Sequence, residues 1–388
     1  MGRFEQAAGT LRLALAEFER RGDQDDAVLA AAMLAETLVK TSAPRSGRQV
    51  LREHPVTVDT APEPAAGHFL ALSLISCVEG RYLVGAEVAR QALTATHRVP
   101  GARGQGLAAR AFALQAANLG LAGRFDQARE AGDQALAPAE AYGDPTLLGS
   151  VLSTLRENAR RAGRLCEAVE TGARALGLAE RSGDPTAAAF ERANLAELRL
   201  LLEEPESARA LAEQAVTGAE AYDAWCLPYA LVTLARVRVF LSAAAEAGEL
   251  LDRAHVVAAT LGDRQAEHEV RTARAEFALH SRRPDDALRA LEGHVEDAPA
   301  LMAWAELLSG RAETALRLAR AEVSRAERTG ERLAEVEARI ALGTSLSRLA
   351  RTREGSKELQ RAESLAGMLP YPAGTSRVAR ARAFLRQA

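Results

Sequence analysis

Lysine is nearly absent from this chain: Lys40 and Lys357 are the only two among 49 basic residues, and all the others are arginine. A phosphate-cradling P-loop needs lysine between a glycine and a Ser or Thr. Lys40 follows Val39 and Lys357 follows Ser356, so no such loop is present. Cysteine is scarce too. Cys77, Cys166 and Cys226 are odd in number, far apart and set in helical patterns, which excludes a disulfide framework and argues against zinc. Reduced, buried thiols are expected. Aromatic residues make up 4% of the chain against 48% apolar residues, which leaves Ala, Leu and Val to build the core.

Other absences narrow the function. No stretch approaches the roughly 20 apolar residues of a membrane-spanning helix, and the N-terminus has no signal-peptide pattern, so a cytoplasmic protein with no membrane partner is expected. The 49 basic and 52 acidic residues leave a formal charge of −3, without the basic footprint of nucleic-acid binding, and no direct nucleic-acid contact is expected. His268-Glu269 lacks the second histidine of a metal-binding helix. Gly104-Gln105-Gly106 follows a turn rather than a strand, so it is no dinucleotide loop. With no Gly-x-Ser-x-Gly elbow either, the reading is a non-enzyme without cofactor or metal.

What is present is a repeat. Gly123-Arg124-Phe125-Asp126-Gln127-Ala128 returns 40 residues later as Gly163-Arg164-Leu165-Cys166-Glu167-Ala168, and Gly143-Asp144-Pro145-Thr146 returns as Gly183-Asp184-Pro185-Thr186. A fixed period of this size means a solenoid. Asp144 caps a first helix and Pro145 takes its first position, where a missing N–H costs nothing. Leu147, Leu148, Val151, Leu152 and Leu155 line one helical face, and Gly163 supplies the left-handed residue that ends it. Leu165, Ala168, Val169, Ala175, Leu176 and Ala179 mark an antiparallel second helix. Neither helix buries its stripe alone, so the pairs stack and share one elongated core.

Turns at Gly80, Gly123, Gly163, Glu203, Ala243 and Arg282 keep this frame, with Gly310 and Ala350 after a shortened pair around Glu296-Asp297 and an earlier turn near Ser42. Helix ends at Tyr222-Asp223, Gly262-Asp263 and Gly330-Glu331 agree with it. The expectation is an all-α solenoid, a superhelix of antiparallel helix pairs in one domain spanning 1–388. Irregularities are expected at 54–66 and 292–310. The segment 374–388 reads as a capping helix, with Val378, Ala381 and Leu385 on the array and Arg377, Arg380, Arg382 and Arg386 in water.

Counted from each turn, Gly123, Phe125, Ala128, Ala135 and Leu136, with Phe112, Gln115, Ala116 and Leu119 on the first helix, resemble the tetratricopeptide (TPR) pattern. The units run to about 40 residues rather than 34. Long units with Gly-Arg-Phe-x-x-Ala and Gly-Asp motifs are similar to the sensor region of large bacterial regulators of the ATPase–TPR–LuxR type, such as the maltose-regulon activator. That resemblance implies a non-catalytic region that senses a signal or binds a partner: a protein, a peptide or a small-molecule inducer. A free-standing TPR adaptor is the alternative. Since the first helix lines the concave face in TPR arrays, its charged positions are the candidates for a ligand groove. Glu157, Glu197 and Glu276 stand six residues before their turns, Arg156 and Arg236 occupy the adjacent position, and Arg160 lies nearby. Trp225, Tyr229 and Trp304 read as core-packing aromatics, with contact anchors as the alternative.

Overall fold

The chain is described here from a computed structural model, over residues 2–41, 43–222, 225–261, 263–294 and 298–387. These form an all-α, TPR-like solenoid of twenty helices, with no strand among the described residues. The first eight are α1 (Gly2–Arg21), α2 (Gln24–Lys40), α3 (Pro44–Glu53), α4 (Pro62–Val78), α5 (Tyr82–Thr96), α6 (Gly101–Leu121), α7 (Phe125–Tyr142) and α8 (Pro145–Arg161). Then follow α9 (Leu165–Ser182), α10 (Pro185–Leu201), α11 (Pro205–Ala221), α12 (Leu227–Phe240), α13 (Ala244–Leu261) and α14 (Arg264–His280). The last six are α15 (Pro284–Ala290), α16 (Pro299–Leu308), α17 (Ala312–Thr329), α18 (Arg332–Arg348), α19 (Thr352–Met368) and α20 (Pro372–Gln387). The expected turn near Ser42, Asp223 and Gly262 at their helix ends, and Glu296-Asp297 in the shortened pair lie outside the described residues.

Local chemistry sets the helix starts. Asp144 accepts from the Thr146 amide and Asp184 from that of Ala187, both at 2.9 Å. Asp263 accepts from Gln265 and Ala266 at 3.0 and 3.1 Å. Such a cap is worth about 1 kcal/mol. Among the described residues the turn inside a pair is built one way. A residue with positive φ is followed by an amide that reaches back to the carbonyl five residues earlier, as in Arg124 to Leu119, Arg164 to Ala159 and Arg283 to Ala278, each 2.8 Å. Gly80, Gly123, Gly163 and Gly310 fit this for free. Glu203, Ser242, Arg282 and Ala350 adopt it without glycine, at a cost of roughly 1 kcal/mol each. The left-handed residue of the fifth turn is Ser242, one position earlier than the expected Ala243.

Two compact units emerge, Met1–Asn158 and Ala159–Ala388. In the first, successive helices pack around alanine- and leucine-rich clusters such as Ala31, Leu34 and Leu38. Its interior also holds short polar side chains. Ser73 donates to the Gly85 carbonyl at 2.9 Å, Asn118 to the Leu114 carbonyl at 2.9 Å and to Ser73 Oγ at 3.3 Å, and Asn158 to the Ala116 carbonyl at 3.1 Å. Glycine makes room for them: a Cβ on Gly85 would stand 2.2 Å from Asn118 Oδ1, and one on Gly120 1.8 Å from Asn158 Oδ1.

The second unit closes on itself. One apolar cluster joins Leu165 of α9 and Leu195 and Leu198 of α10 to Ile340 of α18, Tyr371, and Val378 and Ala381 of α20. Arg161 donates to Glu331 at 2.9 Å, 170 residues away, and a Cβ on Gly163 would meet Leu369 at 3.0 Å and Arg332 at 3.1 Å. Buried charge reinforces the joint. Burial pulls the Glu331 carboxyl up, but hydrogen bonds from Arg325 and the charge of Arg161 hold it below its ordinary value. Arg339 bridges Glu335 at 2.9 Å, Glu358 at 2.6 Å and also Glu327.

One expectation needs correction. Cys166 is exposed on α9, because it falls on the solvent side of that helix's stripe, while burial pushes the Cys77 and Cys226 thiols up to about 11. On α20, Val378 and Ala381 are buried, while Arg377 and Arg382 keep 43% and 38% of their side-chain exposure and pair with Glu337 and Glu363, both at 2.7 Å.

Candidate functional site

Taking the left-handed residue as origin, the corrected turn at Ser242 changes one register. Arg236 stands six residues before it and so joins the row of Glu157, Glu197 and Glu276, rather than sharing a position with Arg156. The side chains behave accordingly. Arg156, one place earlier in its helix, is 3% exposed, with Nη1 3.6 Å from Glu157 and Nη2 3.3 Å from Ser153 Oγ. Arg156 and Glu157 belong to the first unit; Arg160, Glu197, Arg236 and Glu276 belong to the second.

In the second unit these four form a connected row. Arg236 Nε donates to Glu276 Oε2 at 2.9 Å and Nη2 to Oε1 at 3.3 Å, a two-pronged pair spanning one repeat. Arg236 and Arg160 each lie 3.9 Å from Glu197, and Arg236 is 3.6 Å from Glu269. The row is recessed yet wetted: Arg236 keeps 19% of its side-chain exposure and Glu276 37%. Burial raises the Glu269 carboxyl, and the charge of Glu197 adds to this against the opposing pull of Arg236.

Seven residues earlier on the same helices runs a second row. Thirteen residues before Glu203, Ser242, Arg282 and Ala350 stand Phe190, Tyr229, Glu269 and Glu337. Residues seven apart share a helix face. Phe190 lies 4.9 Å from Trp225 and 6.2 Å from Tyr229, ring centre to centre, and Trp225 and Tyr229 meet edge to face at 6.0 Å. Tyr229 donates to Asp263 at 3.1 Å, and burial, with that carboxylate, raises its hydroxyl. Trp225 is not a core residue, since 49% of it is exposed. Trp304 is partly buried between two apolar clusters.

At the far end of this row, Glu337 accepts from the Tyr371 hydroxyl at 2.8 Å and from Arg377 at 2.7 Å, while Arg377 also reaches Tyr371 Oη at 3.1 Å. Sequence reasoning missed Phe190, Glu269, Glu337 and Tyr371. The first three carried a signal, their common distance from the turn, which the misplaced fifth turn obscured. Tyr371 carried none. In the first unit, an open depression of about 490 Å³ along α7 is lined by Asp126, Arg129, Glu130, Asp133 and Gln134 of that one helix, which makes it surface relief rather than a cleft. Among the described residues no group of three or more His, Cys, Asp or Glu side chains could hold a metal ion.

No family model and no curated protein matches the sequence. Solved structures do. The chain is similar to a Rap protein complexed with competence and sporulation factor, with TM-score 0.61, 12% identity and 94% of each chain covered. It is also similar to aspartyl phosphate phosphatase F from Bacillus subtilis, with TM-score 0.54, 13% identity and coverage of 94% and 90%. A third is the Rap conjugation gene regulator of plasmid pLS20 in complex with the Phr* peptide, with TM-score 0.52, 12% identity and coverage of 92% and 97%. At such identities the likeness establishes the fold, a TPR-like helical-repeat array, and no more.

Proposed function

We propose that this chain is a non-catalytic TPR module that binds a peptide or protein segment along the polar row of its second unit, as the sensor region of a larger bacterial regulator. The observation that carries this reading is the row Arg160–Glu197–Arg236–Glu276. Recessed, partly wetted charges on one face can exchange their mutual contacts for those of a ligand. Structures of the same fold complexed with a signalling factor and with the Phr* peptide support a peptide-sized ligand.

The regulatory context rests on the resemblance of the repeat motifs. A P-loop upstream or a DNA-binding helix-turn-helix downstream in the native reading frame would support it, and a frame with neither favours a free-standing adaptor. Binding is tested by calorimetric titration of the full chain with peptides selected from a synthetic library of short peptides. The expected result is a saturable interaction weakened at least about tenfold by Arg236→Ala with Glu197→Ala, the loss of one or two charge-assisted hydrogen bonds. Unchanged affinity in that variant would sink the groove assignment.

A further inference from the structure

Two carboxylates of the second unit, Glu269 and Glu337, occupy the same place in their repeats, yet they are treated differently. Glu337 is satisfied from within: the Arg377 guanidinium lies 2.7 Å away and the Tyr371 hydroxyl 2.8 Å away. Around Glu269 the nearest guanidinium is that of Arg236, at 3.6 Å. That is longer than a hydrogen bond. None of the described residues donates a hydrogen bond to the Glu269 carboxylate, and Arg236 spends its Nε on Glu276. The neighbours of Glu269 in its row are Tyr229 and Phe190, with the half-exposed Trp225 leaning on both.

We propose that the aromatic wall of Phe190, Trp225 and Tyr229, together with Glu269, receives the cationic side chain of a bound peptide, an arginine guanidinium or a lysine ammonium. This rests on the peptide-binding reading above and adds the chemistry of the ligand. Charge complementarity selects the occupant. Among the described residues Glu197, Glu269, Glu276 and Glu337 share the guanidiniums of Arg160, Arg236 and Arg377, so four carboxylates meet three guanidiniums and the face carries a surplus carboxylate. Aromatic faces beside a carboxylate attract a cation through ring quadrupole and ion pair at once, and a guanidinium also stacks flat on indole. An acidic or purely apolar side chain would leave Glu269 with no donor. The raised Glu269 carboxyl fits a group still short of a cationic partner. Arg377 against Tyr371 and Glu337 shows the same unit accommodating a guanidinium between an aromatic hydroxyl and a carboxylate.

A positional-scanning library of short peptides, with N-acetyl-arginine amide as a separate probe, tests this on the full chain. Arginine or lysine is expected at one peptide position. Glu269→Gln and Trp225→Ala should each weaken the best peptide about tenfold or more, with thermal unfolding unchanged. Glu269→Lys, which supplies its own cation, should abolish the basic preference. Peptide ligands without a basic position, or a basic preference that survives Glu269→Gln and Glu269→Lys, would overturn the cation site and leave peptide binding standing. If no peptide binds, the peptide reading falls. Saturable binding of N-acetyl-arginine amide that is lost in Glu269→Lys would then uphold the cation site, and its absence would overturn that as well.

Discussion

Over most of their repeats the two units fill the same positions with different kinds of side chain. Six residues before the turn, the first unit has Leu74 and Ala117 and turns to charge only at its last helix, with Glu157, whereas the second has Glu197, Arg236 and Glu276 in succession. One position later, the first unit buries Asn118 and Asn158, while the second has Leu198, Val237 and Phe277. Asn118 and Asn158 are short and donate to backbone carbonyls, so no ligand can compete for them without breaking the core. The polar side chains of the second unit's row are long, partly wetted and bonded to one another. Side-chain reach therefore separates a polar position that holds the array together from one that can meet a partner.

The largest effect is expected where the second unit closes. Tyr371→Ala removes a fully buried aromatic from the cluster joining α9, α10, α18 and α20 and should cost about 3 to 5 kcal/mol in urea unfolding. Hydrogen exchange should rise in α18 and α20 together. An effect confined to α20 would mean that the closure contributes little.

Gly120→Ala probes the first unit, because the new methyl would sit 1.8 Å from Asn158 Oδ1. A loss of about 2 to 3 kcal/mol is expected from the clash and the displaced amide. A second change to Gly120→Ala with Asn158→Ala should recover part of it. No recovery would show that the asparagine is not what requires the glycine.

Glu331→Gln tests the charge at the joint. Glu331 titrates below its ordinary value in the fold, so it adds stability above its unfolded pKa, and that stability is lost as the pH falls through the folded one. The variant should be about 1 to 3 kcal/mol less stable at pH 7, and the gap should close below about pH 4. A pH-independent gap would assign the cost to packing instead.

The smallest effect, and the only stabilising one, comes from the turns. Glu203→Gly, Arg282→Gly and Ala350→Gly each relieve a positive φ and should add roughly 0.5 to 1 kcal/mol. Gly163→Ala should be destabilising by more than the backbone term alone, since its Cβ also meets Leu369 and Arg332.

Much of the fold was legible because each repeat writes its own boundaries: Asp-Pro at the start of a helix, glycine at its end, an apolar stripe between. Four turns stayed legible without glycine because the spacing held. The site was half legible. Glu197, Arg236 and Glu276 stood out as charges on helices that usually pack, but Arg236 and Arg156 looked equivalent until the backbone placed the fifth turn at Ser242. What no local pattern could give was contact between distant repeats. Nothing in the sequence near Arg161 names Glu331, and nothing near Gly163 names Leu369, because a periodic chain specifies its nearest neighbours and leaves later encounters to accumulated geometry.

That meeting of Gly163 with Leu369 changes how the second unit should come apart. An open repeat array behaves as a one-dimensional chain, losing its end repeat first and then the next. Joining its first turn to its last helices removes the free end, so the cheapest opening breaks the seam and exposes two apolar faces at once. Closure also adds contacts of very long sequence separation, which slow folding. Under mechanical tension from the C-terminus, this unit should yield in one event at high force, where an open array of the same repeats would peel away helix pair by helix pair.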